Sequence, residues 1–423
     1  MAESGGLGPN EVSLNSQIYR LVRGTMVQER PAVSNAIVVR TGAEGLHDET
    51  ATSAQGLVDF SGGLGKVKGE RGKDDNRFFY STWDVRRNGQ ITLPPLAVES
   101  LAWDGAPIVI IDFGGSTYAF GGSGGTGIRR LSGTSWQTYD TGTNTWVTSG
   151  GTPKTLTAAV ISATVYKSKL YIFEGTGYDY YDGSTTWTAN AQDASYGVIY
   201  DDKLCIVNSS GRIDSSTDGS TWTTGGSIST PTSITGMCLY FNREGEKVIH
   251  VGTSHGVYVY DFWRQKFYIL VDLQHRPNAN NCLGMYSDGD VLYIPLNGGG
   301  MIEWRPGIAV HAGPNKDDGM PSGKTGTIKR VVPIDDQVFG AHDAGSGTST
   351  VLVKRGPGWS GHVEADAANE SIKTLWYSNL TTVHRLYFSQ GNSIWYVDEP
   401  ANGGSPLQDT AITYDTSKIH TTS

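Results

Sequence analysis

A short β cassette recurs about seven times between Pro107 and Pro400, and each copy ends its third strand in a Gly- or Asp-rich turn. First strands begin near Pro107, Ala158, Ser195, Ser233, Asn280, Thr325 and Ser371, at spacings of 51, 37, 38, 47, 45 and 46 residues. A period of this size, with several short strands per unit, is the signature of propeller blades. One unit cannot bury both faces of its own sheet, so the units must pack against one another around a ring. The fold class expected is all-β: a β-propeller of about seven four-stranded blades over residues 106–400, with six or eight blades also compatible with the spacing.

The cassettes share an internal grammar. Second strands read KLYIF from Lys169, KLCIV from Lys203, KVIHV from Lys247, VLYIP from Val291 and RLYFS from Arg385. Short runs this rich in Val, Ile, Leu and Tyr suit inner blade strands that are covered on both faces. Third strands follow at Tyr178, Val257, Met301 and Ser393, and a Trp marks the fourth strand at Trp136, Trp146, Trp187, Trp222 and Trp359. Such regular placement favours wedges between neighbouring sheets over a ligand cage. The last blade, from Ser371 to about Glu399, supplies only three strands. A ring must remove its free edges, so the fourth should come from elsewhere: LPPLAVESLAW, Leu93 to Trp103, or AITYD, Ala411 to Asp415.

Residues 1–105 read as an extended, partly ordered N-terminal arm, polar and Gly-interrupted, with a charge cluster from Lys66 to Asp75. Too little apolar periodicity is present for a core of its own. The spacing of Ile18, Leu21, Val22 and Met26 predicts a helix from about Ser16 to Glu29, which Gly24 weakens, and Ala32 to Val39 reads as a strand. Residues 401–423 form a tail or an extra strand.

Composition agrees with this layout. Glycine, at 56 of 423 residues, is nearly twice ordinary usage, and charged residues make up only 18%. A net charge of −9 argues against a general nucleic-acid or anionic-membrane surface. Cys205, Cys238 and Cys282 are odd in number and sit in apolar runs, as buried thiols do. The opening MAESGGLGPNEVSLN lacks the basic and apolar segments of a secretory signal, and no stretch approaches 18 apolar residues. Synthesis and folding in a cytosol are expected, with Asn208, Asn369 and Asn379 unglycosylated.

The clearest local motif is STDGSTW, Ser216 to Trp222, which resembles the Asp-box turn of sialidases and other propellers. Ser216, Asp218, Gly219 and Trp222 are read as structural, the Asp accepting hydrogen bonds from its own turn and the Trp packing beneath it. This copy is one residue short between Asp218 and Trp222; YDGSTTW from Tyr181 and DTGTNTW from Asp140 look like degenerate copies. A sialidase would also need clustered arginines for a substrate carboxylate. Arg129, Arg130, Arg212, Arg243, Arg264 and Arg330 are scattered across blades, so only the fold can say whether they converge.

Other chemistry is thin. GMPSGKT, Gly319 to Thr325, has three residues between its glycines where a phosphate loop needs four, and no hydrophobic strand precedes it and no helix follows. His250, His255, His311 and His342 show no ligand spacing, and the Asp288–Asp290 and Asp317–Asp318 acidic turns repeat no calcium pattern. No catalytic residue, cofactor or metal is assigned. Tyr180, Tyr181, Trp263 and Trp304 are the first candidates for stacking on a glycan.

A polar arm of about a hundred residues feeding a Gly/Trp-rich propeller, with FFYSTWDVRRNGQITLPP from Phe78 to Pro95 and ITYDTSKIH from Ile412 to His420, resembles structural proteins of tailed-bacteriophage tails, necks and baseplates. That resemblance implies assembly without catalysis. Its partners would be other virion proteins, copies of this chain and at most a host-surface glycan, and its location the virion. A receptor-binding or carbohydrate-binding propeller, and a glycosidase of sialidase-like architecture, are the alternatives.

Overall fold

The structure, a computed structural model, describes residues 94–399 apart from 230–232, 243, 316–322 and 356–357, together with five short strands among the first 93 residues. Seven antiparallel sheets follow one another along residues 94–399, six of four strands and the first of five. Their inner strands are Pro107–Phe113, Ser162–Tyr166, Tyr196–Tyr200, Ile234–Phe241, Tyr286–Ser287, Thr327–Ile334 and Leu375–Ser378. Each inner strand lies beside the next, and the seventh lies beside the first, which closes the ring. The chain is a seven-bladed β-propeller. Among the described residues no helix is long and apolar enough to cross a membrane.

The second strands explain why the blades must stack. Lys169–Phe173 and Lys203–Val207 bury every residue after their lysine, and Leu292–Leu296 buries all but its last. A strand buried on both faces needs a partner sheet on each side, which only adjacent blades provide. Clusters accordingly span blade pairs: Ile111 and Phe120 of the first blade pack with Leu170, Ile172 and Tyr181 of the second, and Phe339 and Val353 of the sixth pack with Leu375 and Leu386 of the seventh.

The seam is made by a strand distant in sequence. Val98–Ala102 pairs antiparallel with Ser393–Glu399, setting Leu101 opposite Ile394, and completes the seventh sheet. Leu101 packs on the cluster that joins Ile110, Ala119 and Leu131 of the first blade to Tyr387 and Ile394 of the seventh. The chain then passes through residues 103–106 straight into the inner strand of the first blade. Gly122 N–H donates to Ala106 O at 3.1 Å, and the Trp103 ring lies so close to Gly127 that a Cβ there would stand 2.8 Å from it.

Two expectations need correction. The segment predicted as a helix from Ser16 to Glu29 is a meander: Gln17–Val22 pairs with Glu11–Leu14 on one side and Thr25–Glu29 on the other. The β-branched and aromatic residues Ile18, Tyr19 and Val22 suit strands, and Gly24 costs a helix interior more than it costs a turn. In the fifth blade the inner strand starts at Tyr286, not near Asn280, and is two residues long. The residues before it are held as turns, with Asn281 Nδ2 donating to Ser254 O and Arg276 O and Cys282 in the left-handed region at φ 59°. The runs Ala32 to Val39, Lys66 to Asp75 and Ala411 to Asp415, and Asp317–Asp318, lie outside the described residues.

Candidate functional site

The Asp-box-like turn forms despite its missing residue. Asp218 accepts hydrogen bonds from Ser220 N–H at 2.8 Å, Thr221 N–H at 2.7 Å and the Ser216 hydroxyl at 2.8 Å. These donors hold its carboxyl well below the usual carboxylate range, the Thr221 N–H first among them. The turn faces the neighbouring blade. Tyr178 donates to Gly219 O at 2.7 Å, Tyr166 to Thr217 O at 2.9 Å, and the Trp222 ring meets Tyr178 edge-on at 5.9 Å. Gly219 is at φ 75°, and a Cβ there would fall 1.9 Å from Tyr171 Oη, so the residue is fixed by sterics. Asp182 repeats the device in the second blade, accepting from Ser184, Thr185 and Thr186 N–H, and Asp261 does so in the fourth. Asp288 likewise closes its turn and accepts from Tyr293 Oη at 2.8 Å.

The four aromatic candidates for a glycan do not meet. Tyr181 is fully buried, stacked on Trp187 at 4.8 Å, and Trp304 is buried in the core between the fourth and fifth blades. Tyr180 is half-buried among Tyr171 and Tyr178. Only Trp263 is free, 98% exposed on a turn whose N–H is fixed by Asp261. The sequence could not separate these cases, because strand alternation does not say which face a neighbouring blade will cover.

The arginines do not converge either. Arg129 lies over Trp103, Arg130 over Trp146, Arg212 pairs with Asp214 at 2.8 Å and Arg264 pairs with Asp261 at 3.4 Å. Arg243 lies outside the described residues. Of the five that are described, Arg330 alone stands on an inner strand. The carboxylate clamp of a sialidase is therefore not assembled from the described arginines. Of the phosphate-loop look-alike, Lys324 is described, in an ion pair with Glu364. No group of three or more potential metal ligands occurs among the described residues.

Two polar arrangements sequence reasoning did not nominate do stand out. Glu174 and Asp179, at the start and end of one hairpin connection in the second blade, are buried side by side; Glu174 Oε2 accepts from Ala158 N–H at 2.7 Å, and Lys154 Nζ lies 3.5 Å from Asp179. Burial first and the Asp179 charge second push the Glu174 carboxyl up to about 7. The folded protein holds this proton at pH values where the unfolded chain has released it, so the contribution of Glu174 to stability grows as pH falls from above 7 toward 4.5. Buried His250 and His342, both lowered to about 4 by burial, act in the opposite direction below the ordinary imidazole range. The Glu174 effect is thus read as a difference. Urea midpoints of wild type minus Glu174→Gln should become less negative as pH drops from 8 to 5, and a constant difference would show the carboxyl to be unperturbed. Placed between the residues that fasten the connection at 152–160, the pair works as a structural anchor.

The second arrangement lies at the ring axis. Arg330, Tyr196 and Tyr286 come from the inner strands of the sixth, third and fifth blades, and each interacts electrostatically with another of the set. Nearer the seam, a polar pocket is lined by Glu99, Asp366, Glu370, Lys373, Gln390 and Trp395, with its carboxylates bridged by Gln390 Nε2 at 3.0 and 2.9 Å.

No known protein family matches the chain, and no curated protein matches it in sequence. Solved structures do. The extracellular domain of a one-component system protein of B. thetaiotaomicron is similar over 72% of this chain and 40% of that one, at 13% identity and a TM-score of 0.52. A catalytically inactive virginiamycin B lyase from Staphylococcus aureus with quinupristin is similar over 72% of this chain and 99% of that one, at 7% identity and a TM-score of 0.51. At these identities the likeness is one of fold.

Proposed function

We propose that this chain is an assembly protein, a stiff propeller whose N-terminal arm contacts neighbouring subunits, and that its setting is the virion of a tailed phage. One observation carries the assembly reading. The outermost strand of the fifth blade, Ile308–His311, is exposed at every position, with Ile308 57% and Val310 39% accessible, and Tyr268 and Ile269 are exposed on the outer strand of the fourth. Monomeric proteins blunt such edges with charge or proline, whereas an apolar open edge accepts another strand. The first hundred residues contain strands at Glu11–Leu14, Gln17–Val22 and Thr25–Glu29, and they join the ring through its own closing strand. An arm tied to the seam and an open edge elsewhere on the rim can link copies of one chain. The phage setting rests on the resemblance of the layout to tail, neck and baseplate proteins.

Light scattering across a concentration series tests the assembly reading. The full chain should self-associate, and Ile308→Lys with Val310→Lys should weaken association at least tenfold, while changing stability by about 0.5 kcal/mol or less per exposed site. A wild-type chain that stays monomeric, or charged variants that associate equally well, would overturn it. A glycan-binding reading keeps one supporting observation, the exposed Trp263 face; a glycan array on wild type and Trp263→Ala decides it.

A further inference from the structure

The axis of the ring holds an uncompensated cation. Arg330 lies on the inner strand Thr327–Ile334, and its Nε is buried without a hydrogen-bond partner. Among the described residues it forms no ion pair. The residue is half-buried, and the surrounding protein removes enough water that burial lowers its pKa, opposed by the phenols of Tyr286 and Tyr196. Those tyrosines stand on the fifth and third blades, so side chains from three blades are gathered where only the axis can bring them together. The phenol of Tyr196 is itself pushed up to about 12 by burial, so it is a neutral hydroxyl able to donate a hydrogen bond. The neighbouring Lys329 adds no free charge, since its Nζ donates to Asn280 Oδ1 at 2.8 Å and lies 4.0 Å from Asp343.

Arg330 is half-buried as a whole, but its Nε–H is buried without an acceptor, and an unpaired donor of this kind is costly unless something completes it. We infer that the cluster of Arg330, Tyr196 and Tyr286 binds the carboxylate of a small organic acid, the guanidinium meeting both oxygens and the phenols donating from the sides. The planar fork of arginine matches a carboxylate in two parallel hydrogen bonds. One positive charge balances one negative charge. A phosphate dianion would bring a second negative charge to a cluster in which, among the described residues, Arg330 is the cation that acts on Tyr196.

The test is calorimetric titration of the full chain with benzoate, its neutral analogue benzamide, phenylphosphonate, and a tripeptide with a free or an amidated C-terminus. Benzoate should bind and benzamide should not. Arg330→Gln should weaken benzoate at least tenfold, and its unliganded Tm should equal or exceed that of wild type because a buried donor without a partner has gone. Tyr196→Phe and Tyr286→Phe, which keep the ring volume, should each weaken benzoate by a smaller factor; they test the site independently if Arg330→Gln folds poorly. Binding confined to the free-terminus tripeptide would move the source to a peptide end while keeping the carboxylate. Tighter phenylphosphonate than benzoate would overturn the carboxylate assignment. Absence of binding by every acid, or benzoate affinity unchanged in all three variants, would overturn the site.

Discussion

Replacing Leu101 with Asp should loosen the whole ring and not one strand alone. Leu101 is the apolar contact of the closing strand, opposite Ile394 and against the cluster that joins the first and seventh blades. A carboxyl placed there loses water without gaining a partner. For a half-buried position the cost is roughly 2–4 kcal/mol, which in a domain of this size lowers Tm by roughly 4–8 °C. Glu99, exposed on the same strand, supplies the control: Glu99→Gln should leave Tm nearly unchanged. Because the seam pairs a strand that precedes the first blade with the last strand of the seventh, the unfolding transition of Leu101→Asp should also broaden. An equal Tm for Leu101→Asp and wild type, measured by calorimetry, would mean that the strand adds nothing to closure.

Lys354→Met should destabilise by about 3 kcal/mol or more, and Glu303→Leu in the same chain should restore most of the loss. Lys354 Nζ and Glu303 Oε1 are 2.6 Å apart, both side chains about one-tenth exposed, and they join the sixth blade to the fifth. Removal of the cation alone leaves Glu303 buried, with only the more distant Arg305 at 3.8 Å to balance it. Removal of both leaves an apolar contact between sheets that are already apolar. Urea titrations of wild type, both single variants and the double variant should give a coupling of about 1–3 kcal/mol. Additive losses would show that the two charges act separately.

How much could be read beforehand depended on where burial comes from. Second strands such as Lys169–Phe173 and Lys203–Val207 coincide with the runs KLYIF and KLCIV, because burial on both faces demands continuous apolar residues that local sequence displays. The inner strand at Tyr286–Ser287 left no such trace, being two residues long and preceded by a turn fastened through Asn281. At Ile18, Leu21 and Val22 two periodicities overlap, and pairing with Glu11–Leu14 and Thr25–Glu29 decides between them. For the candidate sites the limit was sharper. Trp304 and Tyr181 look like Trp263 in sequence, yet only Trp263 escapes the neighbouring blade.

By itself, then, the sequence determined the repeat, the strand-by-strand grammar of a propeller and the turns that Asp218 and Asp182 cap, since each of these depends on residues a few positions apart. Tertiary structure alone decided which blade edges stay open, that Lys354 finds Glu303, and that Arg330 meets Tyr196 and Tyr286 and, among the described residues, no carboxylate. Those relations join residues from different blades. They exist only once the ring has closed, because closure brings the inner strands to one axis and sets the charge and exposure of every side chain there.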